Sequence, residues 1–305
     1  MRPIDHTIRR GQLQDLIFRV LGVSLLLLCL GTLGVLIFNL AHDGLSRLDL
    51  KFFSSFASRH ADEAGIKAAW VGTALIMLVT ALTAIPLGLA AGIYLEEYAR
   101  KNWFTGLIEI NIANLAGVPS IIYGLMALGL LVYKLNFGRS ILSGGVTLAF
   151  LILPIVIVAT REALRSIPQS MREAAYALGA TRWQVIRHHL LPYSAGGIST
   201  GVIIALGRAI GETAPLITIG ALTYIAFLPP APFSMMDSGH RAGAFSWLMT
   251  DFTVLPIQMF NWVSMPGEDF QANAAAAGLV LMLATLGINA VAIGVRYRMR
   301  RRIKW

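Results

Sequence analysis

Charge is scarce in this 305-residue chain. Asp, Glu, Lys and Arg make up 13% of it against 56% hydrophobic residues, so long apolar runs are to be sought before any water-soluble core. Cysteine is scarcer still. Cys29 stands alone, which excludes an intrachain disulfide and any cysteine metal cluster. The six histidines, His6, His42, His60, His188, His189 and His240, form no HExxH or other zinc spacing, and the adjacent His188 and His189 would point to different faces of a helix. No Gly-Lys dipeptide occurs, so the chain has no Walker A loop and does not hydrolyse ATP through a P-loop of its own. Gly197-Ile-Ser199-Thr-Gly201 has the letters of a nucleophile elbow, but it lies in an apolar helical run rather than at a strand-to-helix turn. An intramembrane serine enzyme using Ser199 is left as a distant alternative.

Long apolar runs are abundant. Leu21 to Ala41, Ala68 to Leu95, Ile110 to Tyr133, Ser140 to Thr160, Leu190 to Gly207 and Phe270 to Val295 carry no formal charge, and about 20 residues suffice to cross a bilayer as a helix. The first run is longer than a signal-peptide core and lacks a small-x-small exit, so it reads as a retained helix preceded by a cytoplasmic segment, residues 1–20. Six spans place both termini on one side. The terminal side carries seventeen Lys and Arg and the other side seven, with Arg208 left inside a span, so both termini are expected in the cytoplasm. The net charge of +9 then reflects topology and lipid-headgroup contact, and nucleic acid is excluded as a partner.

The expected architecture is an all-α integral membrane protein with six transmembrane helices over residues 21–295. A cytoplasmic loop covers 161–192, an external loop 229–270, and a basic cytoplasmic tail 296–305. Within the external loop, Phe245, Trp247, Phe252, Phe260 and Trp262 are interrupted by Asp251 and Pro256, which predicts a short helix from about Gly243 to Trp262 lying at the outer membrane surface.

The fifth run carries two charges. In Gly207-Arg-Ala-Ile-Gly-Glu-Thr-Ala-Pro215, Arg208 and Glu212 are four apart, hence on one helix face. If the span begins near Pro192, Arg208 lies roughly 24 Å along it at about 1.5 Å per residue, where an arginine is disfavoured by about 2.5 to 3.5 kcal/mol. One reading is an ion pair that only locks helix packing. The other is a polar pathway, in which the arginine fork receives a tetrahedral oxyanion and the carboxylate keeps the site from holding it too tightly. Gly207 and Gly211 would admit a neighbouring helix, and Pro215 would bend the helix beyond the pair. In the third run, Glu109 reads as a side chain snorkelling to the interface. Asn114, deeper, would bond across helices or touch substrate.

Between the fourth and fifth runs, Ser170-x-x-Glu173 and Thr181-x-x-Gln184 each have the form of a capping box, with Gly179 between them suited to a left-handed turn. Two short helices follow, one with Met171, Ala174, Ala175 and Leu178 on one strip, the other with Trp183, Ile186 and Leu190. They would lie on lipid or fit a groove on another protein, and the shallow alanine-rich strip favours the groove.

Glu173-Ala-Ala-x-x-x-Gly179 with Ile186 and Leu191-Pro192 resembles the EAA loop of ABC-importer permeases. Glu109-Ile-Asn-Ile-Ala-Asn-Leu-Ala-Gly-Val-Pro-Ser120, Gly211-Glu-Thr-Ala-Pro-Leu216 and Phe252-Thr-Val-Leu-Pro-Ile-Gln258 with Asn261-Trp262 are similar to the A-type permease of phosphate-specific ABC importers. That resemblance implies a type I permease fold in a bacterial cytoplasmic membrane that moves inorganic phosphate inward; the alternative cargo is another oxyanion, molybdate or sulfate. It implies a substrate pathway using Arg208, Glu212, Thr213 and Asn114. It also implies ATPase coupling through Arg172, Glu173, Ala174, Ala175, Gly179 and Ala180. The implied partners are a C-type permease subunit, two ATPase subunits that hold ATP and magnesium, and an extracytoplasmic phosphate-binding protein. The chain itself would hold no cofactor. The stretch Leu228 to His240 does not match the family pattern.

Overall fold

The structure is a computed structural model and describes residues 3–231 and 243–302, so most of Leu228 to His240 lies outside the described residues. Regular structure among the described residues is helical apart from one isolated antiparallel bridge, Ser140 with Asp251. The order is α1 (Pro3–Gly44), α2 (Leu50–Ser54), α3 (Lys67–Ile93), α4 (Trp103–Leu115), α5 (Ser120–Ala127), α6 (Ile141–Arg165), α7 (Gln169–Ala177), α8 (Arg182–Val185), α9 (Leu191–Ile210), α10 (Ala214–Ile219), α11 (Leu255–Val263) and α12 (Glu268–Arg302). Among the described residues five helical rods are long and apolar enough to cross a membrane, or up to six if α4 and α5 together make one broken span.

That broken span corrects the sequence reading of Ile110 to Tyr133 as one straight crossing. α4 and α5 meet at 105°. The cause is local: Pro119 cannot donate to a continuing helix and pushes Val118 away from helical backbone, and the Pro119 carbonyl instead starts α5 by accepting from the Ile122 amide.

Within the segment expected to lie at the outer surface, the aromatic residues divide between core and exterior. Residues 243–263 form a single turn at Ser246–Met249 and the nine-residue α11, yet Phe252 and Trp262 are only 2% and 1% exposed. Phe252 packs with Ile76, Val79 and Leu148, and Trp262 with Phe52 and Ile66. The amide of Leu255 donates to Thr73 Oγ1 at 2.9 Å, fixing the segment to α3. Aromatic bulk serves a core as well as a headgroup layer, and here only Phe245 and Phe260 stay exposed.

The centre of the molecule is α6 packed between α3 and α9. Small residues set the spacing. Thr80 of α3 donates to the Gly145 carbonyl of α6 at 3.0 Å. On the other side a Cβ at Gly197 would come within 2.8 Å of the Ala163 Cβ, and one at Gly201 would collide with Ala159. The Gly197-x-x-x-Gly201 spacing is therefore a close helix contact, not a nucleophile elbow. Ser199 faces an apolar cleft in which no acid or base is among the lining residues. The apolar stretch of α1 has no buried residue, and Gly44 near its end abuts Ala275 and Ala276 of α12.

Candidate functional site

Arg208 is the basic residue in the last turn of α9, and the helix ends at Ile210. Glu212 therefore lies in a non-helical link, not on the helix face the four-residue spacing suggested, and Pro215 opens α10 rather than bending a continuing helix. The pair survives: Arg208 Nε stands 3.4 Å from Glu212 Oε1, with side chains 40% and 19% exposed. It is a loose, single contact. Thr213 provides the carbonyl that receives the Leu216 and Ile217 amides, so it shapes the start of α10. Gly207 would bring a Cβ to 3.4 Å from Asn289 Oδ1 of α12, whereas nothing approaches Gly211.

The bend between α4 and α5 stands beside this pair. Tyr123 of α5 is within electrostatic range of Arg208, packs with Ala205 and Ala209 of α9, and donates from its hydroxyl to the Leu115 carbonyl at the end of α4, 2.8 Å away. Gly124 lets α5 lie directly against Pro215 and Thr218 of α10, since a Cβ there would strike both. Asn114, one residue before Leu115, is exposed and makes no side-chain hydrogen bond among those described. Its backbone carbonyl receives the Gly117 amide.

The loop after α6 holds the second candidate site. Thr181 and Gln184 form the expected capping box, and Gly179 has φ +80°, the left-handed conformation a glycine tolerates. Ser170 caps nothing. Pro168 precedes α7 and starts it at Gln169, leaving Ser170 inside the first turn. Nor do α8 and α9 break at Pro192: Arg182–Ile210 is continuous through a π-helical turn at Ile186–Leu190. Pro192 directly follows that π-helical turn and, having no amide hydrogen, donates no backbone hydrogen bond there.

The strip expected on α7 divides. Met171 and Ala175 turn inward with Val185, Ile186 and Leu190, and Ala180 packs against the same cluster. Glu173, Ala174 and Gly179 are exposed, as is Trp183, and Leu178 is 90% exposed. Arg172 is held inside: its guanidinium donates to Glu97 Oε1 at 2.9 Å and to the carbonyls of Leu164 and Ile167 at 2.9 and 2.8 Å.

Sequence reasoning missed the ion pairs that lie beneath this loop. Glu96 and Glu97 sit in a π-helical turn, Tyr94–Tyr98, at the end of α3. Arg165 bonds both oxygens of Glu96 at 3.1 Å. Arg161, its side chain 8% exposed, lies 2.6 Å from Glu109 Oε1 and 3.6 Å from Glu96 Oε2. Glu109 is therefore paired and does not snorkel. The available signal was opposite charge at the ends of two neighbouring runs, Glu96-Glu97 after one and Arg161 with Arg165 after another.

The family described as binding-protein-dependent transport system inner membrane component matches residues 84–305. The "Phosphate transport system permease protein PstA" of Yersinia pestis is 32% identical over 278 residues, covering 90% of this chain and 86% of that protein. The "Phosphate transport system permease protein PstC" of Mesorhizobium japonicum is 28% identical over 327 residues, covering 97% and 93%. A solved bacterial ABC transporter involved in import of the acidic polysaccharide alginate superposes with a TM-score of 0.59 at 14% identity, over 98% of this chain and 99% of that one, a likeness of fold. A match of this extent, on a fold of apolar rods with no P-loop, means that the chain belongs to the family of binding-protein-dependent transport system inner membrane components, as a multi-pass inner-membrane permease subunit of an ABC importer whose ATPase is a separate subunit.

Proposed function

We propose that this permease carries inorganic phosphate inward and that Arg208 receives the anion. The observation that carries the reading is the looseness of the Arg208–Glu212 pair. A pair kept only for packing would be expected to close its geometry when desolvated, whereas this guanidinium meets one oxygen at 3.4 Å and keeps 40% of its surface open. A charge so placed can pair with the carboxylate at rest and yield to an oxyanion through two or more charge-assisted bonds. Asn114 and Thr213 flank the path, at the bend before α5 and at the start of α10. The names of the phosphate-system relatives support phosphate over molybdate or sulfate.

The partners proposed are a related C-type permease, two ATPase subunits carrying ATP and magnesium, and an extracytoplasmic phosphate-binding protein. The uncovered apolar length of α1 suits a second permease. The exposed Glu173, Ala174, Leu178 and Gly179 suit a groove on the ATPase. Both termini and this loop are placed in the cytoplasm by the distribution of Lys and Arg.

Arg208→Gln is expected to abolish phosphate uptake with the complex still assembled, because an amide cannot supply the positive potential that offsets carrying an anion through low dielectric. Glu212→Gln should impair uptake less, by leaving a stickier site. Uptake measured together with membrane abundance checks this. Normal uptake in Arg208→Gln, or full transport after replacing both residues by apolar ones, would show a packing pair.

A further inference from the structure

We infer that Arg161 and Glu109 are positioning residues that transmit movement of the α7–α8 loop to the bend beside Arg208. Arg172 ties α7 to Glu97, and Glu97 is fused to Glu96 in the π-helical turn that ends α3. Such turns recur at functional sites because they aim side chains that a regular helix cannot. From Glu96, which Arg165 also holds, the chain of charges continues through Arg161 to Glu109 on α4. α4 buries none of its residues fully, so this ion pair is its principal polar attachment to α6. Its far end carries Leu115, whose carbonyl holds the Tyr123 hydroxyl against the wall that bears Arg208.

The geometry of Arg161 favours transmission over simple stapling. Its guanidinium stands between carboxylates from two separate elements, 2.6 Å from one and 3.6 Å from the other. Yet its Nε and Nη2 are buried without an aligned hydrogen bond. Buried polar groups ordinarily find aligned partners, and a pair retained for stability alone would close them. A cation between two alternative carboxylates is a two-state element: displacement of Glu96 by the loop strengthens one contact at the expense of the other, and α4 follows. The inference rests on the proposed docking of α7–α8 on an ATPase and does not depend on the cargo being phosphate.

The test reads the bend directly. Gly117 lies in it, and a Cβ there would meet only the Asn114 carbonyl oxygen, at 3.4 Å, so Gly117→Cys can be introduced with the exposed Cys29 replaced by Ser. In the purified complex with its ATPase, the rate of labelling by a water-soluble maleimide should differ by about fivefold or more between nucleotide-free and vanadate-trapped states. Adding Glu109→Asp should keep that difference and Glu109→Gln should remove it. An unchanged difference in Glu109→Gln, no difference in the parent, or a Glu109→Gln complex that sheds its ATPase on purification would each overturn the inference, the last by making the pair a staple. A parent that purifies without any ATPase would fail the docking reading, and the inference with it.

Discussion

Leu178 and Gly179 separate two roles within one turn. Leu178 is 90% exposed at the end of α7 and is not part of the inward cluster, so Leu178→Asp should leave membrane abundance unchanged while reducing ATPase copurification. Gly179 adopts φ +80° with open space around it. Gly179→Val should introduce strain of about 1–3 kcal/mol and weaken the loop as well as the docking. Limited proteolysis alongside copurification distinguishes the two, since only the valine should make the loop more cleavable. ATPase recovery equal to the parent's in both variants would contradict the docking surface. Some of this was readable from single residues: a charge in an apolar run is costly enough to signal Arg208 by itself, and Gly179 between two capping patterns implied its turn. The partners of Glu109 and Arg172 were not readable, because the fold creates them by bringing together the ends of α3, α4 and α6.

Among the elements, the apolar rods were legible wherever a run was long and uninterrupted. Several misreadings share a cause, which is that proline acts according to its place in a turn. Pro119 breaks a run that composition alone makes continuous, Pro192 lies within the continuous rod Arg182–Ile210 just after its π-helical turn, and Pro215 starts α10 instead of bending α9. In the segment from Phe252 to Trp262, aromatic content alone did not say which rings the chain would bury, and Phe252 and Trp262 are the ones it does. Glycine spacing predicts helix contacts more directly. At Gly201 the α9 backbone lies against Ala159 of α6, so Gly201→Val must push the helices apart, a change costing about 1–3 kcal/mol or more. Reduced membrane abundance and a lower melting temperature of the purified complex are expected, with Ser199→Ala, one helix face away in the apolar cleft, near parental in both. A stable, fully transporting Gly201→Val chain would contradict the packing of α6 on α9.

For the whole molecule, the described residues present an exposed turn at the end of α7, a loosely paired Arg208 beside the bend between α4 and α5, and ion pairs that run from α7 to α4. The chain has no P-loop, so the energy for transport comes from a separate ATPase subunit. The architecture accounts for a permease, while the proposed choice of cargo is assigned to Arg208 and its surroundings. A single arginine does not read tetrahedral geometry unaided, which makes competition between oxyanions the most direct measurement. The complete complex, with its permease partner, ATPase and extracytoplasmic binding protein, is to be reconstituted in vesicles and supplied with ATP and labelled phosphate. The account predicts ATP-dependent phosphate accumulation that unlabelled phosphate abolishes, that sulfate and molybdate at equal concentration leave nearly unchanged, and that Arg208→Gln eliminates. Accumulation of sulfate or molybdate in preference to phosphate, or phosphate uptake that persists in Arg208→Gln, would contradict it.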